Sequence, residues 1–199
     1  MTWDIAGRNV IVTGGNSGIG VATVTELTRR GARVTIASRD RVRGEAAVCA
    51  VREETGAEPE LRILDLADLS SVRAFAQGYR ADHDRLDVLI NNAGVMAGGR
   101  RETVDGFEWT FGVNHLGHFL LTNLLIGCLE AAAPSRVINL SSEVHHSTKD
   151  GLDFDDLQMT RGYSPGKAYS AAKLANILFT FELDRRFADR GISARAVHP

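Results

Sequence analysis

The chain has 199 residues, 44% of them hydrophobic and 24% charged, with a formal net charge of −2. These values suit one folded domain with a substantial core and exclude disordered and fibrous classes. Charges of both signs are mixed, so no electrostatic footprint for nucleic acid is present.

The N-terminal stretch MTWDIAGRNVIVTGG enters a strand pattern at once and lacks the layout of a secretion signal. No apolar run reaches the roughly 18 residues of a membrane span. The two cysteines, Cys49 and Cys128, lie far apart and outside any CxxC. They read as reduced thiols, and the chain as cytoplasmic.

Short apolar runs then alternate with amphipathic stretches. NVIVT (9–13) precedes a helical pattern over 20–31, and RVTIA (33–37) precedes a charged stretch to about Thr55. ELRIL (60–64), a stretch over Ser70–Ala81 and DVLIN (87–91) follow. A long apolar stretch runs over 107–132, then RVINL (136–140), a helical pattern over 168–190 and SARAV (193–197). Six β-branched runs separated by helix-length segments predict βαβ units and a parallel sheet covered on both faces. With right-handed crossovers this is an α/β, doubly wound, Rossmann-type fold. Residues 1–199 are expected to form a single domain, with an irregular loop over 144–166. Loops of that length in compact domains are usually functional or mobile.

TGGNSGIG (13–20) sits between the first strand and the first helix. Gly14, Gly18 and Gly20 let the backbone turn tightly and approach a bound group. Ile19 belongs to the same cofactor loop, and the N-terminus of the helix that follows offers unpaired N–H donors and partial positive charge to a pyrophosphate. Asn16 and Ser17 add short polar side chains within reach of a ribose or phosphate. The setting predicts dinucleotide binding. At the end of the second strand, an NAD site places an acid for the ribose 2′-OH, whereas an NADP site places a cation for the 2′-phosphate. Here Ser38 stands where the acid would fall and Arg39 follows, which favours NADP(H) over NAD(H) despite the neighbouring Asp40.

YSPGKAYSAAK (163–173) holds two overlapping Tyr-x-x-x-Lys spacings. In a helix, residues i and i+4 share a face. The first copy contains Pro165 and Gly166, so it is expected to be a loop, with Tyr163 and Lys167 on the pocket rim. The second runs into an apolar helix and places Tyr169 and Lys173 on one face. A cation about 4 Å away at an effective dielectric near 20 would favour the phenolate by up to about 4 kcal/mol. That would bring Tyr169 towards neutrality, where general acid–base work is efficient. His115 and His118, three apart, and His145-His146 lack a third ligand at motif spacing, so no metal is expected.

TGGNSGIG, Asp65-Leu66, NNAG (91–94), VNHLGHF (113–119), RVINLSS (136–142), DFDDLQ (153–158) and AYSAAKLAN (168–176) occur in that order. Together they resemble the short-chain dehydrogenase/reductase family, and within it the retinol-dehydrogenase-like branch, from about Gly7 to Pro199. The resemblance implies an oxidoreductase that transfers a hydride between NADP(H) and a small carbonyl or alcohol substrate. It implies that Asp65 and Leu66 flank the adenine, that Asn92, Ala93 and Gly94 lie along the cofactor, and that Asn91 braces the sheet. Ser142 would polarise the carbonyl, with Ser141 as runner-up, and Asn114 would hold a water behind Lys173 in a proton relay. Tyr169 would act as general acid and base, and Lys173 would hold the nicotinamide ribose.

A homodimer or homotetramer through helices 107–132 and 168–190 also follows from the resemblance. Ser142 and Tyr169 stand farther apart than in many members, as is common in this branch. Members continue past VHP with a glycine, a substrate-binding loop and a final strand, so those parts are expected to be missing. The alternative function is a non-catalytic NADP(H)-binding sensor or scaffold, which has no need of the four groups Asn114, Ser142, Tyr169 and Lys173.

Overall fold

The six strand-like runs form one parallel sheet in a computed structural model that describes residues 3–199. They are β1 (Asn9–Thr13), β2 (Arg33–Ser38), β3 (Glu60–Ile63), β4 (Val88–Asn91), β5 (Ser135–Leu140) and β6 (Ile192–Val197), in the order β3-β2-β1-β4-β5-β6. β1 is central, and its Val10 registers with Val34 on one side and Val88 on the other. The winding reverses between β1 and β4, so the crevice beyond their carboxyl ends is where a ligand is expected in such a sheet.

Alternation along β1 sorts its side chains into two cores. Ile11 joins Phe75, Leu89, Leu121 and Leu125 on one face, beneath α3 (Leu69–Asp82) and α5 (Gly117–Ala131). Val10 and Val12 join Val24, Val34, Ile36 and Val51 on the other, beneath α1 (Gly18–Arg29) and α2 (Arg41–Thr55). Each fully buried side chain of this kind contributes about 1.5–3 kcal/mol. Asp40 caps α2 by accepting from Arg43 N at 3.0 Å, and Asp68 caps α3 by accepting from Ser70 N at 2.8 Å. Among the described residues no helix is long and apolar enough to cross a membrane.

The stretch expected as one helix over 107–132 is broken. A short α4 (Trp109–Phe111) leads into a π-helical turn (Gly112–Leu116), and only then does α5 begin. Two glycines make the local packing possible. A Cβ on Gly112 would lie 2.5 Å from Thr103 Cγ2, and one on Gly117 would lie 2.7 Å from the Leu66 carbonyl oxygen.

The loop expected over 144–166 is also shorter than its predicted bounds. A 3₁₀ turn (Glu143–Ser147) opens it, and α6 (Pro165–Phe187) already starts at its end, followed by a 3₁₀ turn (Ala188–Arg190). Pro165 occupies the first helical turn, where its missing N–H has no partner to lose and its fixed φ suits the helix. Lys167 is therefore helical, while Tyr163 lies before the Ser164 cap and donates from its hydroxyl to the Ala97 carbonyl at 3.2 Å. DFDDLQ folds into a turn of its own, in which Asp156 accepts from Thr160 N at 2.9 Å and Arg161 N at 3.0 Å.

Candidate active site

A cleft of about 930 Å³ opens at the carboxyl ends of the central strands. It gathers most of the residues singled out from the sequence: Gly14, Asn16, Ser17, Ile19 and Gly20 from the glycine loop, Ser38 and Arg39 from the end of β2, and Asp65 and Leu66 after β3. Asn92, Ala93 and Gly94 after β4, Ser141 after β5, and Tyr169 and Lys173 from α6, complete that set. Gly18, Asn114 and Ser142 do not line the cleft.

The glycine loop is shaped by close approach. Gly14 has φ +65°, and a Cβ there would sit 3.0 Å from Ala93 Cα. A Cβ on Gly20 would lie 2.1 Å from the Gly14 carbonyl oxygen, so only glycine lets α1 begin where it does. Ser17 stands at the cap of α1 with no side-chain hydrogen bond to the helix, unlike Asp40 and Asp68 at α2 and α3. The first N–H groups of α1 thus keep their donors for a group in the cleft.

At the end of β2, Ser38 is buried and donates from its hydroxyl to the Asp40 carbonyl at 2.9 Å. The Asp40 carboxylate, the nearest acid, is engaged as the α2 cap and lies 3.6 Å from Arg43 Nε. Arg39 is exposed on the cleft and makes no ion pair among the described residues. Arg43, which sequence reasoning missed, lines the same end. Asp65 accepts from Ala67 N at 2.9 Å, which fixes the turn after β3.

Asn91 braces the sheet: its amide donates to Thr122 Oγ1 at 3.0 Å and to Asn139 Oδ1 at 2.7 Å. Thr13, also missed, organises the next residues, since its hydroxyl accepts from Asn92 N at 2.9 Å and Ala93 N at 3.0 Å. The signal available for Thr13 is a polar residue at the buried end of an apolar strand, but its partners lie far along the chain.

On α6, Tyr169 and Lys173 face the cleft together. Lys173 is buried, its Nζ donates to the Leu140 carbonyl at 2.9 Å, and it lies 5.3 Å from the Tyr169 ring centre. Burial lowers the Lys173 ammonium to about 8. Burial also raises the Tyr169 phenol above its ordinary range. The depression of Tyr169 expected from Lys173 is therefore not a property of the chain alone, because the ammonium is directed at a carbonyl rather than at the phenol.

The two serines separate by their bonds. Ser141 is buried and donates to the Lys173 carbonyl at 2.9 Å, whereas Ser142 is half-buried and only weakly engaged, accepting from Val144 N at 3.5 Å. Asn114 lies in the π turn. Its side chain clamps Val95 through both ends, accepting from Val95 N and donating to Val95 O at 2.8 Å each. Its backbone carbonyl accepts from Asn176 Nδ2 and faces His118 Nδ1, both at 3.1 Å. His115 pairs with Asn176 Oδ1 at 3.0 Å.

The family model described as short chain dehydrogenase matches residues 8–152. Bovine retinol dehydrogenase 12 is 51% identical over 194 residues, which cover 97% of this chain and 61% of that protein. The chain thus spans about three fifths of the length of that curated relative. A solved structure of an uncharacterized protein from Mycobacterium paratuberculosis aligns with a TM-score of 0.84 at 49% identity, covering 98% of this chain and 69% of the other. A metagenomic short-chain oxidoreductase solved with NADP aligns with a TM-score of 0.80 at 27% identity, covering 99% of this chain and 84% of the other.

Proposed function

The chain belongs to the short-chain dehydrogenase family, and we propose that it transfers a hydride between NADP(H) and a carbonyl or alcohol substrate. One observation carries this reading: Tyr169, Lys173, the glycine loop and the exposed Arg39 converge on one cleft at the switch point of the sheet. The relative named for an alcohol, retinol, and the oxidoreductase solved with NADP support the same chemistry.

The residues present fit the cofactor. The uncapped N-terminus of α1 suits the pyrophosphate, and a side chain at position 20 would fill that space. Arg39, with Arg43 beside it, suits the 2′-phosphate through paired charge-assisted bonds, and no uncommitted carboxylate competes for the ribose at the end of β2. Asp65 and Leu66 would border the adenine, and Asn92, Ala93, Gly94 and Lys173 the nicotinamide half. When bound, the cofactor supplies or accepts the hydride.

The chain's own part is proton management. Ser142 Oγ donates to the substrate oxygen and polarises it. Tyr169 gives its phenolic proton to that oxygen during reduction and removes the alcohol proton during oxidation. Lys173, held by the Leu140 carbonyl, supplies the positive field that favours the phenolate once substrate and cofactor displace water. Asn114 braces Val95 behind this group and, as part of the proposed proton relay, sits on the Lys173 side of the cleft.

A homodimer through α5 and α6 is part of the proposal. Phe119, Leu178 and Phe181 are 45%, 47% and 70% exposed there, an apolar face suited to a second copy.

The test is consumption of NADPH with a panel of aldehydes and ketones, repeated with Tyr169→Phe. Turnover should fall by about a hundredfold or more in the variant. Activity that survives the substitution overturns the assignment of Tyr169. Tight NADPH binding without turnover of any carbonyl points instead to a sensor.

A further inference from the structure

We infer that His118 is a positioning residue that ties the turn bordering the nicotinamide half of the cleft to the π turn carrying Asn114; this rests on the cofactor reading above. His118 is 2% exposed and does not itself line the cleft. Its Nε2 lies 2.9 Å from Thr13 Oγ1 and its Nδ1 lies 3.1 Å from the Asn114 carbonyl oxygen.

The surrounding bonds decide the tautomer. A carbonyl only accepts, so Nδ1 carries the proton and donates to Asn114 O. Nε2 is then an acceptor, and the Thr13 hydroxyl donates to it. That leaves the lone pairs of Thr13 Oγ1 for Asn92 N and Ala93 N, both of which it accepts at 3.0 Å or less. Burial holds the imidazole near 4, so it is neutral and keeps this arrangement at any working pH.

The resulting chain of contacts runs Ala93–Thr13–His118–Asn114–Val95. Its two ends are two residues apart on the same turn after β4, and its middle passes through the ends of β1 and the π turn. The Asn114 carbonyl lies inside the π turn closed by Gly117 N on Gly112 O and there meets two side-chain nitrogens. An apolar side chain at 118 would leave the Thr13 proton only the Ile90 carbonyl, at 3.4 Å, and would release one of the two side-chain bonds on Asn114 O. The Asn92–Ala93 end of the turn would then lose its tie through Thr13 to the π turn, while Arg39, at the end of β2, makes none of these contacts.

The experiment compares two ligands by calorimetry: NADPH, and adenosine 2′,5′-bisphosphate, which has no nicotinamide half. In His118→Leu, NADPH affinity should fall about tenfold, the loss of roughly one buried hydrogen bond. The bisphosphate affinity should be unchanged. His118→Gln, whose amide offers one acceptor and one donor, should recover most of the loss. Equal weakening of both ligands, or of neither, overturns the inference. A wild-type chain that binds neither ligand overturns the cofactor reading instead. Should the leucine variant fail to fold, Thr13→Val cuts the same link from the strand side and Thr13→Ser keeps the hydroxyl that makes it. Serine should keep the NADPH affinity and valine should lower it selectively, and equal behaviour of the two would again count against the link.

Discussion

Lys173 and Tyr169 look into one cleft without sharing a hydrogen bond: the ammonium of Lys173 donates to the Leu140 carbonyl at 2.9 Å and lies 5.3 Å from the Tyr169 ring centre. Asn176 Nδ2 donates to the same carbonyl at 3.2 Å, so Lys173 is not its sole partner. A buried cation in that position costs stability in exchange for its place beside the phenol.

That cost has a pH signature. Burial lowers Lys173 from 10.5 to about 8, so between those values the unfolded chain binds more protons than the folded one. Stability therefore rises with pH across that window, and the penalty is full below it, about 3 kcal/mol at 1.4 kcal/mol per unit. Lys173→Met should stabilise the fold by about 1–3 kcal/mol at pH 7 while abolishing turnover, and the gain should vanish towards pH 10.5. Urea unfolding of both proteins at the two pH values measures it. A methionine variant less stable than wild type at pH 7 would refute the argument.

Tyr169 in the chain alone should ionise above pH 10, because burial disfavours the phenolate. Ultraviolet difference titration of wild type against Tyr169→Phe isolates this group. Adding NADP⁺ should move its titration downwards, since a positive charge then faces the ring. A phenolate signal near pH 7 without cofactor would show that Lys173 suffices, contrary to the bond it makes with Leu140.

Local features of the sequence carried most of the fold. Six β-branched runs became the six strands, and the second Tyr-x-x-x-Lys spacing became one helix face, because both depend on residues a few positions apart. The π turn was invisible, since its cause is distributed: Gly112 and Gly117 are needed to clear Thr103 and Leu66, which lie elsewhere in the chain. The Thr13–His118 contact joins residues 105 positions apart and leaves no local trace. Pro165 with Gly166 suggests a loop by sequence, although at the first helical turn the same ring starts a helix. The protonation of Lys173 and Tyr169 depends on burial, which spacing does not encode.

Gly20 and Gly18 should respond differently to alanine. At Gly20 the added Cβ would meet the Gly14 carbonyl at 2.1 Å, so the loop must shift. Gly20→Ala should lose NADPH binding and about 1–3 kcal/mol of stability. At Gly18 the added Cβ has nothing within 4 Å, and the cost is the left-handed backbone at φ +52° alone, about 1–2 kcal/mol. Gly18→Ala should therefore still bind the cofactor. Calorimetric binding and thermal unfolding of both variants check this, and loss of binding in both would show that the distinction is wrong.

Arg39 should set cofactor choice. Arg39→Ala removes charge-assisted bonds proposed for the 2′-phosphate, so KM for NADPH should rise about tenfold to a hundredfold while KM for NADH changes little. The wild-type preference should also shrink as salt is raised, because Arg39 is exposed. Kinetics with both cofactors at two ionic strengths decide the matter. An equal rise for both would remove Arg39 from the phosphate site.

The adjacent serines offer the sharpest separation of fold from chemistry. Ser141 donates to the Lys173 carbonyl from a buried position, so Ser141→Ala leaves that carbonyl one donor short. It should cost about 1–3 kcal/mol of stability, with turnover reduced only as far as α6 shifts. Ser142 is half-buried and its hydroxyl makes only a 3.5 Å contact with Val144 N, so the fold depends on it little. Ser142→Ala should unfold within about 0.5 kcal/mol of wild type. Its kcat should nonetheless drop by about 10²–10³, the loss typical of one donor to a developing oxyanion. Thermal unfolding paired with kcat for each variant separates the roles, and the reverse pattern would reassign the substrate-binding hydroxyl to Ser141.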